Sequence, residues 1–244
     1  DLHSFPTRRS SDLGNLGLGT VHHDWSQMFA VLAVASLLVG NLAAIMQANI
    51  KRMLAYSTIS HMGFILLAFM AGAVGFAAGL YYAITYALMA AVGFGILMVL
   101  STDNIECEEI KDLAGLNQRH AWFAFLMLLA MFSMAGIPPL MGFYAKFGVI
   151  KALLSASTAQ NAAMSGSTYI VLAVFAVVMS LIGAFYYLRV VKVMYFDEAT
   201  HDQPVGSNYA AKFFLSVNAF LLILWGIMPQ TVIDWCARAL ENTL

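Results

Sequence analysis

The chain has 244 residues, of which 61% are hydrophobic and only 10% charged, with a formal net charge of −1. That balance lies far from soluble globular composition and places the chain among membrane proteins. It excludes a nucleic-acid binder, because Lys and Arg occur only as short pairs, and it excludes a disulfide scaffold, because Cys107 and Cys236 are far apart and read as free thiols.

Residues 1–13 read DLHSFPTRRSSDL, polar and without periodicity. They lack the apolar core of a signal peptide. They resemble a translated adapter artefact, so they are expected to be a non-native leader, with residues 14–244 forming one transmembrane domain that is the C-terminal part of a longer chain. His22-His23-Asp24 is a weak metal signal and reads as a polar flank. About 20 apolar residues cross a bilayer as a helix. By that measure six spans follow, over 25–48, 54–74, 76–100, 121–154, 169–195 and 213–235. The predicted fold is an all-α polytopic membrane helix bundle.

Span two carries His61 about two turns in, after Ser57 and Ser60; Ser57 and His61 are four apart and share a face. Histidine exchanges protons near neutral pH through either ring nitrogen, and an ionisable group within a span points to function. The alternative is a core histidine donating to a carbonyl. Span three places Tyr82 and Tyr86 one turn apart, as water or hydroxyl links or as aromatic packing.

Span four is too long for one straight crossing and is interrupted by Gly136-Ile137-Pro138-Pro139, so the fourth helix is expected to be discontinuous. Pro138 and Pro139 offer no amide hydrogens, so carbonyls near Ser133, Met134 and Ala135 lose helical partners. Gly136 permits the turn, and Gly142 permits close approach of another helix. Lys146 lies seven residues beyond Pro139, with apolar sequence on either side. A charge at that depth costs about 2.5–3.5 kcal/mol on insertion scales. Broken backbone at membrane depth lines a cavity or is covered by protein. Together these features point to an ion path; a Pro kink with a snorkelling lysine is the bland alternative. Lys151, nearer the end of the span, is an exit group or an anchor.

The loops orient the bundle. Lys51, Arg52, Lys111, Arg119, Arg189, Lys192 and Lys212 fall on one side, and only Lys151 and Arg238 on the other. This bias makes loops 1–2, 3–4 and 5–6 cytoplasmic and turns both ends of the chain outward. Acidic residues in loop 3–4 (Asp103, Glu106, Glu108, Glu109, Asp112) and loop 5–6 (Asp197, Glu198, Asp202) are either solvated charge or contacts to other subunits. No phosphate loop, metal-ligand cluster or nucleophile–base pattern is present.

The stretch GNLAAIMQANIKRMLAYSTISHMGF from Gly40, with AGIPPLMGFYAKF from Ala135, resembles the antiporter-like membrane subunits of NADH-quinone oxidoreductase, respiratory complex I, and among them the N type. The resemblance implies a fourteen-helix fold in which these spans are the second inverted repeat plus the final helix. Lys146 would be the lysine of the second broken helix, and His61 part of the central hydrophilic axis. Sister L subunits carry His-x3-His-x3-Lys where this chain has Tyr82, Tyr86 and Ala90, and sister M subunits carry a glutamate where it has Lys146. The implied function is proton translocation coupled to NADH:quinone electron transfer in a bacterial inner membrane. Other membrane subunits, the lipid bilayer, protons and water would be its partners. This chain would hold no cofactor, with NADH, FMN, iron–sulfur clusters and quinone in other subunits. The alternatives are a subunit of a multi-subunit cation/proton antiporter or membrane-bound hydrogenase, or a structural scaffold.

Overall fold

The computed structural model describes residues 21–101, 107–159, 162–199 and 209–241. Residues 1–13, the side chains of His22-His23-Asp24, and Asp103, Glu106 and Asp202 lie outside what it describes. The described residues form helices α1 (Val21–Met46), α2 (Ile50–Met70), α3 (Gly72–Leu100), a 3-10 turn (Ile110–Leu113), and α4 (Leu116–Arg119). The order continues with α5 (Ala121–Ala135), α6 (Met141–Ser157), α7 (Gly166–Phe196), α8 (Tyr209–Ile227) and α9 (Pro229–Glu241).

Five of these helices (α1, α2, α3, α7 and α8) are long and apolar enough to cross a membrane. The fourth crossing is the pair α5 and α6, of 15 and 17 residues. At 1.5 Å per residue they reach only about 22 and 26 Å, each short of the roughly 30 Å hydrocarbon core. The discontinuity therefore falls where the repeated glycine and proline signals place it. The sixth span differs from expectation. It ends at Ile227 rather than 235, because Pro229 opens a separate helix at its first position, where a missing N–H costs nothing. Helix α9 is amphipathic and packs against α3.

Local signals set the other ends. Asn49 caps α2, its side-chain oxygen accepting from the Arg52 N–H at 2.9 Å. Gly72, at φ 71°, takes the left-handed conformation that reverses the chain between α2 and α3. Helices α1 and α2 form a hairpin; α7 closes against α1, α5 and α6; and α6 sits inside, touching α2, α3, α7 and α8. That position makes α6 the buried strut of the bundle.

Loops 1–2 and 3–4 meet the carboxyl-terminal part of α7 at one end. Loop 1–2 and loop 3–4 exchange backbone bonds, Ile50 N–H to the Glu108 carbonyl at 2.7 Å and Ile110 N–H to the Ala48 carbonyl at 2.9 Å. Arg189 of α7 donates to the Ile45 carbonyl at 3.2 Å and to that of Gln47, satisfying the end of α1. Much of the acidic charge is spent within the chain: Glu108 faces Lys51, Glu109 pairs with Lys111, and Asp197 pairs with Lys192. Cys107 and Cys236 are free and buried.

Two outcomes test this packing. A Cβ on Gly142 would collide with the Ser133 carbonyl of the other half-helix. Gly142→Ala is therefore expected to cost about 1–3 kcal/mol, read as a lowered thermal midpoint of the detergent-purified protein. Burial, with Asp112 adding to it, pushes the Cys107 thiol up from its ordinary value of 9.0 to about 11. A raised pKa keeps the thiol neutral at pH 8, so its alkylation should run about 100-fold slower in the native protein than after denaturation.

Candidate functional site

The break in span four is closed by its own two halves. Helix α5 stops because Gly136, at φ 87°, turns left-handed and its N–H folds back on the Phe132 and Ser133 carbonyls at 3.1 and 3.0 Å. The Ile137 N–H also returns to Phe132, at 3.0 Å. Pro138 and Pro139, both exposed, contribute no donors, so the carbonyls of Met134 and Ala135 are left for another partner. Lys146 supplies it. Its Nζ donates to Met134 O at 2.9 Å, to Ala135 O at 3.0 Å and to Ser180 Oγ on α7 at 2.9 Å. In return, Ser133 Oγ accepts the Gly142 N–H at 3.1 Å in the first turn of α6. Each half-helix thus caps the other.

Lys146 is 8% exposed, and no carboxylate bonds it among the described residues. In its charged form it is met by dipoles instead. The carboxyl end of α5 carries roughly half a negative charge, and each hydrogen bond to a charged group contributes about 1.5–3 kcal/mol. The Gly136 backbone, without a Cβ, admits the lysine stem; an added Cβ would stand 3.0 Å from Lys146 Cδ.

His61 anchors a second cluster. Its Nδ1 lies 2.8 Å from the Tyr82 hydroxyl and its Nε2 3.0 Å from the Tyr187 hydroxyl. Hydroxyls both donate and accept, so either tautomer of the ring is satisfied if the two tyrosines exchange roles. Tyr86 lies against the ring, centroids 4.7 Å apart, and its hydroxyl bonds Thr58 Oγ1 at 2.5 Å. Ser60 accepts from Asn41 Nδ2 at 3.0 Å, and Tyr186 donates to Asn41 Oδ1 at 3.1 Å. The Tyr186 and Tyr187 rings are 4.5 Å apart, so this polar cluster runs from α1 through α2 and α7 to α3.

The structure brings His61, Tyr82, Tyr86 and Ser60 together, and it places Lys146 at the helix break. It does not join the two groups by a direct hydrogen bond. Phe64 stands at the junction: its ring stacks on Tyr82, and Lys146 Nζ lies 5.6 Å from its centroid. Ser57 is buried; its hydroxyl donates to the Leu54 carbonyl of its own helix at 2.7 Å and meets the Tyr187 hydroxyl at the edge of the cluster. Lys151 is exposed and stands apart from Lys146. Sequence reading missed Asn41, Thr58, Ser180, Tyr186 and Tyr187. All are polar groups inside spans, which was their only signal; which helix each faces is set by packing. Among the described residues no group of three His, Cys, Asp or Glu is placed to hold a metal ion.

The chain is similar to known proteins in sequence and fold. The chain is 78% identical over 229 residues to NADH-quinone oxidoreductase subunit N of Neisseria gonorrhoeae, covering 93% of this chain and 45% of that protein. It therefore spans about half the length of the curated relatives it matches. Among solved structures, a chain of respiratory complex I from Thermus thermophilus with bound aureothin superposes with a TM-score of 0.70 at 28% identity, over 85% of this chain and 45% of that one. A chain of the Mrp complex from Dietzia sp. superposes at 0.75 over 90% of this chain and 48% of that one; at 21% identity this is a likeness of fold. The family model described as NADH:quinone oxidoreductase/Mrp antiporter, TM, matches residues 13–173, more than half of the sequence, and the chain belongs to that family.

Proposed function

We propose that this chain is part of a proton-translocating membrane subunit of an NADH:quinone oxidoreductase, of the N type. The observation that carries the proton role is the buried Lys146 amine, held by helix-end carbonyls and a hydroxyl and, among the described residues, by no carboxylate. A carboxylate partner would hold the charge tightly. Neutral dipoles hold it loosely enough for the proton to leave when the local field changes. The 78% identity to a named subunit N supports the NADH:quinone assignment over the cation/proton antiporter, hydrogenase or scaffold alternatives.

In this reading Lys146 is the proton-bearing group of a half-channel, and His61 with Tyr82 and Tyr187 is its donor cluster. Tyr86, Ser60 and Ser57 support that cluster, and Lys151 marks the exit side. Water would bridge the cluster to the polar side of the Lys146 site, around the Phe64 ring. Gly136, Pro138 and Pro139 serve by freeing the carbonyls that hold the charge. The redox reaction, with NADH, FMN, iron–sulfur clusters and quinone, belongs to other subunits of the complex, and neighbouring membrane subunits are the direct partners. The protein sits in a bacterial inner membrane, with the loop end rich in Lys and Arg toward the cytoplasm and the described ends of α1 and α9 outward.

Lys146→Ala in the full-length subunit of an assembled complex is expected to lower proton pumping about tenfold or more, the scale of losing a positioned proton-transfer group. Pumping per electron, followed with a pH-sensitive dye in membrane vesicles, checks this; an unchanged ratio would remove Lys146 from the mechanism. Replacing the donor is expected to hurt less, since water can substitute. His61→Gln should reduce pumping while leaving the amount of assembled complex unaltered, and normal pumping in that variant would take His61 out of the route.

A further inference from the structure

We propose that Ser180 is the group through which Lys146 gains and loses its proton. The inference rests on the proton-bearing role of Lys146 given above. It follows from the chemistry of the three partners around Nζ. Two are backbone carbonyls, Met134 O and Ala135 O, which only accept. The third, Ser180 Oγ at 2.9 Å, is a hydroxyl, which accepts and donates.

That difference gives the site two satisfied states with one geometry. As an ammonium, Lys146 donates three hydrogen bonds, one to each partner. As a neutral amine, it donates two to the carbonyls, and its lone pair accepts the Ser180 hydroxyl hydrogen. No helix has to move, and no buried polar atom of the lysine loses a partner in either state. With three carbonyls around it, the neutral amine would instead turn its lone pair toward another lone pair, which is repulsive.

A further neighbour of Nζ is aromatic. On the side of the His61 cluster the lysine meets the Phe64 ring, which neither takes nor passes a proton. Ser180 is only half-buried, whereas Ser133, the other hydroxyl at the break, is fully buried and already engaged with the Gly142 N–H. One Nζ–H bond breaks as an Oγ–H bond forms, and the original Ser180 O–H proton leaves to a water molecule. One proton and one positive charge move, and no electron is transferred. Loading is the same step in reverse.

The test compares Ser180→Ala, Ser180→Thr and Lys146→Ala in the full-length subunit of the assembled complex, with pumping normalised to the amount of complex. Ser180→Ala is expected to lower pumping about tenfold and to raise the solvent isotope effect on coupled turnover, because proton exchange becomes slow. Ser180→Thr, which restores the hydroxyl, should pump within about twofold of the unsubstituted complex. A purely structural serine would leave the isotope effect unmoved. If Lys146→Ala is defective and Ser180→Ala pumps normally, the exchange role is overturned and the role of Lys146 stands; if both pump normally, both fall. Should Ser180→Ala fail to assemble, Ser180→Cys keeps the volume with a weakly hydrogen-bonding thiol. Partial loss of pumping is then expected, and full pumping overturns the proposal.

Discussion

The break in the fourth crossing is closed by Lys146, whose Nζ donates to the free carbonyls at the carboxyl end of α5. A helix broken at membrane depth leaves backbone groups without helical partners, and in hydrocarbon each would cost several kcal/mol if left alone. Here the deficit of the backbone and the deficit of the charge cancel. The Met134 and Ala135 carbonyls need donors, and the lysine needs acceptors. Ser133 completes the exchange by taking the Gly142 N–H. The broken helix and the buried cation are therefore one structural device.

This reciprocity explains why α6 can sit at the centre of the bundle. It packs against α2, α3, α7 and α8, and its one charged buried residue is neutralised by the helix it continues rather than by an acidic side chain. It also limits what can be changed nearby. The close approach at Gly142 and the left-handed backbone at Gly136 both bring the two half-helices within reach of one lysine. Polar satisfaction and steric fit thus fall on the same few residues.

The His61 cluster follows a different physical rule. Its members are hydroxyls and one imidazole, which donate or accept as needed. Such a cluster tolerates either tautomer of His61 without rearrangement, because Tyr82 and Tyr187 stand on opposite ring nitrogens. Phe64 separates it from the lysine, so the two halves of the relay we propose are neighbours without being directly bonded. Communication between them needs water or a movement of that ring.

The sequence by itself determined the membrane class, six crossings, the break at Gly136 to Pro139 and the carbonyls freed near Met134 and Ala135. Apolar run length, missing proline amides and the cost of a buried charge are local or nearly local properties. His61 and Lys146 stood out for the same reason: an ionisable side chain within an apolar span is conspicuous in one dimension. The end of the sixth span was misread, because apolar residues continue past Pro229 on one face of the amphipathic α9. Only the tertiary structure decided the partners. Tyr187 lies 126 positions from His61, and Ser180 lies 34 from Lys146. Which face of α7 meets α2 and α6 is set by helix rotation and packing, and an apolar helix with little amphipathic pattern carries almost no record of its rotation in its sequence.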